Sequence, residues 1–191
     1  AKGDIIVFSD ANSIYREDAL RHLVNCFKDE RVGYATGHMV YLKQTGNSVE
    51  EGCSSYIRYE NFIRTVESRA GSVVGVNGGI DAVKKELYET ISEDLISDFV
   101  IPLLVVKKGY RVVYEPKAVL EEYALADTSK EFKMRVRVIV RAFHALRYMK
   151  SLFNVFKYPL FAYQLFCHKL LRYLIPELLL LLYVVNIILY Q

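Results

Sequence analysis

Two acidic patches carry residue types that bind phosphates and move protons. In Asp10-Ala11-Asn12, the first and third side chains can turn to one side and offer hard oxygens to a divalent cation, Mg or Mn, that neutralises a diphosphate. Asn12, being neutral, is the weaker ligand. The second patch runs from Glu93 to Asp98 and offers Glu93, Asp94 and Asp98 as bases able to take a proton from a hydroxyl. Helix capping uses the same residue types, with Asp10, Asn12 and Ser13 at one turn and Ser97 and Asp98 at the other. His22, His38, His144 and His168 show no metal-ligand spacing. Cys26, Cys53 and Cys167 form neither a disulfide framework nor a zinc motif, which fits a reducing, cytoplasmic setting.

The elements around these patches decide what they can do. The apolar run Asp4 to Ser9 predicts a strand buried in a parallel sheet, and its C-terminal end delivers Asp10 to where open α/β sheets bind ligands. Ala19, Leu20, Leu23, Val24 and Phe27 recur at helical spacing over residues 17–28, and Val32 to Leu42 reads as a strand. Ser55 to Ala70 predicts a helix bearing Tyr59, Phe62, Ile63 and Val66, with Glu60 readable as an exposed acid. A glycine-rich stretch follows, ending in Gly78-Gly79. Asp98 to Lys108 predicts a helix with Pro102 in its first turn and Gly109 at its end. Tyr110 to Tyr114 reads as a strand, closed by Pro116. This alternation of strands and helices is that of an α/β protein.

The chain has 191 residues, 52% of them hydrophobic, and 25 basic against 22 acidic residues, so no nucleic-acid-binding stripe is present. Asp4 already opens a strand, so no signal peptide is expected at this end. The composition turns apolar near residue 150. Residues 151–173 mix Phe161, Leu165, Phe166 and Leu170 with Lys169 and Arg172, as an amphipathic segment at a membrane interface does. Residues 174–191 read as the start of a transmembrane helix, approaching the roughly 20 apolar residues a span needs. Lys and Arg at 147, 150, 157, 169 and 172 place the preceding domain on the cytoplasmic side of a cell membrane.

Four stretches together resemble the C-terminal part of glycosyltransferase family 2, of the GT-A fold, as found in membrane-associated bacterial enzymes: residues 3–13, 59–89, 96–118 and 132–146. The resemblance covers nearly all of residues 3–150. It implies a Rossmann-like nucleotide-diphospho-sugar transferase domain over 1–150 whose nucleoside-holding strands precede residue 1. It places the metal and diphosphate site on Asp10 and Asn12, with Asn12 a departure from the family's second Asp. The distance to Gly109-Tyr110-Arg111 selects Asp98 over Asp94 as catalytic base.

The resemblance also puts Gly78 and Gly79 in a loop near the donor sugar. Arg135, Arg137 and Arg141 fall where processive members carry Gln-x-x-Arg-Trp. Gln and Trp are absent, which implies transfer of one or a few sugars, with Arg137 left as a diphosphate contact and Arg135 and Arg141 on a solvated face. The implied activity is inverting transfer from a nucleotide-sugar donor to a glycan or lipid-linked hydroxyl acceptor. A nucleotidyltransferase of similar fold and a non-catalytic membrane-bound assembly partner are the alternatives.

Overall fold

The computed structural model describes residues 2–42, 48–123 and 128–190. Its centre is a five-stranded mixed sheet in the order β1-β4-β3-β5-β2, built from β1 (Ile5–Ser9), β2 (Ile14–Tyr15), β3 (Val32–Leu42), β4 (Ile80–Lys84) and β5 (Arg111–Tyr123). The pair β3–β5 is parallel; β1–β4, β3–β4 and β2–β5 are antiparallel. The strand that delivers Asp10 is therefore not buried among parallel neighbours. It lies at the edge of the described sheet, and its Val7 is exposed.

Strand β5 runs nine residues past Tyr114, through Pro116. Its register against β3 shifts between Gly37 and His38, where Glu115 gives way to Val119 as the partner. Pro116 thus sits in a bulge, where no ladder amide is required of it. Gly37 makes the bulge sterically possible, since a β-carbon there would lie 2.4 Å from the Ala118 carbonyl oxygen.

Successive strand residues point to opposite faces, so the sheet separates two apolar clusters. Ala35, Ile80, Ala82 and Leu120 pack with Ala19 and Leu23 of helix α1 (Ala19–Asn25). Tyr34, Val83 and Val112 pack with helix α3 (Ser97–Lys107), whose residues Phe99 to Val106 are all buried. Pro102 is the sixth residue of α3, in its second turn and not its first. It removes the amide that would bond the Asp98 carbonyl in a regular helix.

Helix α2 (Ser48–Ala70) turns the opposite face inward from the one its apolar residues suggest. Tyr59, Phe62 and Val66 are exposed, whereas Glu60, Asn61, Arg64 and Glu67 are buried. Glu60 and Glu67 meet His168 and Arg172 of the chain's C-terminal part, while Asn61 donates to the Met39 carbonyl and Arg64 to those of Gly75 and Val76, and these partners reverse the amphipathic pattern. After helix α4 (Thr128–Tyr148), the chain continues through α5 (Pro159–Leu165), a π-helical turn (Phe166–Leu170), α6 (Leu171–Tyr173) and α7 (Ile175–Tyr190). Phe161 and Leu165 join the α3 cluster, so this segment packs on the α/β core. Helix α7 buries none of its residues. No single described helix is long and apolar enough to cross a membrane; Pro159–Tyr173 and Ile175–Tyr190 meet that length and composition only as a pair, bent by 61°.

Candidate active site

The chain leaves β1 in a tight turn, with the Ser13 amide donating to the Asp10 carbonyl at 3.2 Å. This leaves the Asp10 side chain exposed at the strand's C-terminal end. Beside it runs the turn into β4. The Tyr15 hydroxyl donates to the Gly79 carbonyl at 2.7 Å and lies 3.1 Å from that of Phe8, which ties the two segments together. Asp81, fully buried in β4, accepts from the Gly78 amide at 2.9 Å and from the Tyr34 hydroxyl at 3.0 Å. Burial pushes its carboxyl up to about 7, against the hydrogen bonds that favour the anion.

Gly78 has φ +81° and packs against Asp98, the second residue of α3. Neither Ser97 nor Asp98 caps that helix: its cap is Ile96, without a side-chain hydrogen bond. The Asp98 Oδ1 atom is buried and has no hydrogen-bond partner. Burial raises the Asp98 carboxyl above its ordinary range, with the positive charge of Lys169 opposing and the Asp10 charge adding to the shift.

Two cavities meet at this carboxylate. A small one of about 170 Å³ is lined by Asp10, Tyr34, Gly78, Asp81 and Asp98. A larger one of about 430 Å³ is lined by Glu60, Arg64, Asp98 and Arg135, and from the C-terminal helices by Lys169 and Arg172. Among the described residues, Asp98 alone lines both.

Residues 1–144 match the sequence profile described as "Glycosyltransferase like family 2". The chain belongs to glycosyltransferase family 2. Among solved structures it is similar to the mannosyltransferase PcManGT from Pyrobaculum calidifontis, a structure in complex with GDP-Man and Mn2+. The TM-score is 0.58 at 21% identity, over 77% of this chain and 40% of that protein, a likeness of fold consistent with the GT-A type. No curated protein sequence matches the chain.

Of the residues the family's pattern marks, Asp10, Gly78 and Asp98 line the small cavity, with Gly79 beside Asp10. A β-carbon on Gly79 would lie 3.2 Å from Ser13 Oγ and 3.6 Å from Asp10 Oδ2, so the glycine keeps that space open. The Asn12 amide donates to Glu122 on β5. Arg137 is exposed on α4 and lines neither cavity; Arg135 lines the larger one.

No group of three or more His, Cys, Asp or Glu among the described residues could hold a metal ion by itself. The donors present suit a hard cation that takes most of its ligands from elsewhere. Asp10 offers an exposed carboxylate, and Ser13 Oγ beside it is buried without a hydrogen-bond partner. One or two protein oxygens completed by substrate phosphates and water is an ordinary arrangement for Mg2+.

Three residues of this region are not apparent in the sequence as site residues. Asp81 follows a glycine turn and reads as an ordinary strand start, although an acid between Ile80 and Ala82 in an apolar strand is a signal. Glu122 reaches Asn12 only through the β2–β5 pairing, which spans more than a hundred residues. Its carboxyl is raised by burial and by the Asp10 charge. Lys169 lies beyond residues 1–144 and reads as a membrane-interface cation.

Proposed function

We propose that this chain is the catalytic part of an inverting glycosyltransferase that moves a sugar from a nucleotide-diphosphate donor to a hydroxyl acceptor. The carrying observation is the position of Asp98 between the two cavities. The donor occupies the side of Asp10, Gly78 and Gly79, and the acceptor hydroxyl approaches from the larger cavity. Asp98 accepts the hydroxyl proton as that oxygen attacks the anomeric carbon from the face opposite the leaving diphosphate, so the configuration inverts. Its elevated proton affinity suits a group that must take up a proton near neutral pH.

Asp10, with Asn12 beside it, would hold Mg2+ or Mn2+. Such an ion, when bound, supplies positive charge to a departing diphosphate. Asp10 itself orients the donor end of the site, and Gly78 and Gly79 allow backbone to approach the sugar closely. Absence of the Gln-x-x-Arg-Trp pattern supports a non-processive enzyme acting on a polysaccharide, a lipid or a cell-envelope glycan. The exposed apolar α7 and the basic residues before it support association with a cell membrane, the catalytic domain lying on the cytoplasmic side.

The deciding measurement is turnover of sugar nucleotides by the full-length protein, with release of nucleoside diphosphate monitored. Asp98→Asn should lower kcat by roughly 10²–10⁴-fold or more while donor Kd stays within a few-fold. Near-normal turnover in that variant would remove Asp98 as the base, and release of pyrophosphate would make the protein a nucleotidyltransferase.

A further inference from the structure

One charged group of the larger cavity has no part in the mechanism above. Lys169 lies in the π-helical turn Phe166–Leu170, and its Nζ is so close to the Gly75 backbone that a β-carbon there would be 2.5 Å away. On another side the ammonium sits 5.7 Å from the centroid of the Phe99 ring. Its neighbours are matched with carboxylates. Arg64 lies 3.7 Å from Glu60, Arg172 bonds Glu60, and His168 spans Glu60 at 3.4 Å and Glu67 at 2.7 Å. Lys169 makes no salt bridge among the described residues, although the charges of Glu60 and Glu67 act on it. Asp98, on the same cavity, has a buried oxygen with no hydrogen-bond donor.

We propose that Lys169 is an active-site cation that holds Asp98 in its ionised, proton-accepting form, so that the C-terminal helices are a working part of the catalytic centre. The role is one of positioning charge, and it rests on the reading of Asp98 as the base.

Asp10 at the end of β1 and Asp81 from β4 are acids whose charge opposes ionisation of Asp98, and Tyr34 and Tyr173 are neutral phenols. Arg64 is occupied by the carbonyls of Gly75 and Val76 and by Asn61, and Arg172 by Glu60 and Tyr56. Arg135 also lines the cavity, from α4, and the Lys169 charge lowers the proton affinity of Asp98. Burial pulls Lys169 itself down to about 8, which still leaves it charged at neutral pH.

The test uses the full-length protein with ¹³C-labelled aspartate, following the Asp98 carboxyl by NMR across pH in wild type, Lys169→Met and Lys169→Arg. Removing the cation should raise the Asp98 midpoint by roughly half to one pH unit, and the acid limb of kcat/KM should move up with it. Lys169→Arg should bring both back toward wild type. Lys169→Gln gives the same comparison if the Met side chain disturbs packing. A folded Met or Gln variant, judged by its Tm, whose Asp98 midpoint equals that of wild type would overturn the proposal. The titration needs no turnover, so an inactive wild type would sink the glycosyltransferase reading without touching the measured Lys169–Asp98 coupling.

Discussion

Gly78 is so close to Asp98 that a β-carbon added to it would lie 2.8 Å from Asp98 Oδ2 and 3.3 Å from Asp98 Cβ. The same residue has φ +81°, so contact and backbone conformation both demand glycine. Gly78→Ala is expected to cost about 1–2 kcal/mol in stability from the left-handed backbone alone. It should also displace the carboxylate and lower kcat by roughly 100-fold, as misplacement by about 1 Å does. Tm and kcat on one preparation check both, and unchanged kcat would separate this contact from the chemistry.

Asp81 gives a pH-dependent stability of predictable sign. Its carboxyl titrates near 7 in the fold and near 3.8 when unperturbed, so folding favours the protonated form. That contribution is fully present below about 4 and is lost as pH rises to about 7. Asp81→Asn is neutral throughout. Its Tm minus that of wild type should become steadily more positive from pH 4 to pH 7 and level off above. A difference that stays flat over this range would contradict the buried, protonated Asp81.

At the mouth of the donor side, Asp10→Asn should weaken binding of Mn2+ in the presence of a nucleoside diphosphate by roughly 10-fold or more, because it removes the anionic ligand. Asn12→Asp should strengthen it, with a partial offset from repulsion by Glu122, to which the Asn12 amide now donates. Isothermal titration of the metal on the full-length protein reads both changes. Equal affinity in the Asp10 variant would place the metal elsewhere.

The buried polar face of α2 should be far less tolerant than its exposed apolar face. Glu60 is bonded by Arg172 and faces His168 and Arg64. Glu60→Gln leaves Arg172 and Arg64 without their charge partner and His168 with Glu67 alone, at an expected cost of about 3–5 kcal/mol. Hydrogen exchange should rise first in residues 159–173. Tyr59→Ser, one position away on the exposed side, should stay within about 0.5 kcal/mol.

The contrast between these two positions also marks how far the sequence reaches. Strand β3 and helix α3 are legible because β-branched runs and continuous apolar stretches report local conformation directly. The placement of Asp10 at a strand end and of Asp98 in the first turn of a helix follows from the same signals. What is not legible depends on distant partners. The inward turn of Glu60 and Glu67 on α2 is set by His168 and Arg172, more than a hundred residues later. The course of β5 past Pro116 depends on Gly37 leaving room for a bulge. The antiparallel pairing of β1 with β4 is a choice of neighbour, which an apolar run does not encode.

The π-helical turn at Phe166–Leu170 acts as a one-residue insertion within a helical stretch. It changes the phase between what comes before and what comes after by about 100°. Phe161 and Leu165 thereby face the apolar core while His168, Lys169 and Arg172 face the acids of α2 and the cavity at Asp98. Deleting a single residue here would restore a regular helix and swing every later side chain around the axis. The composition would hardly change, yet the phasing that joins a hydrophobic dock to the charges facing α2 and the cavity would be lost.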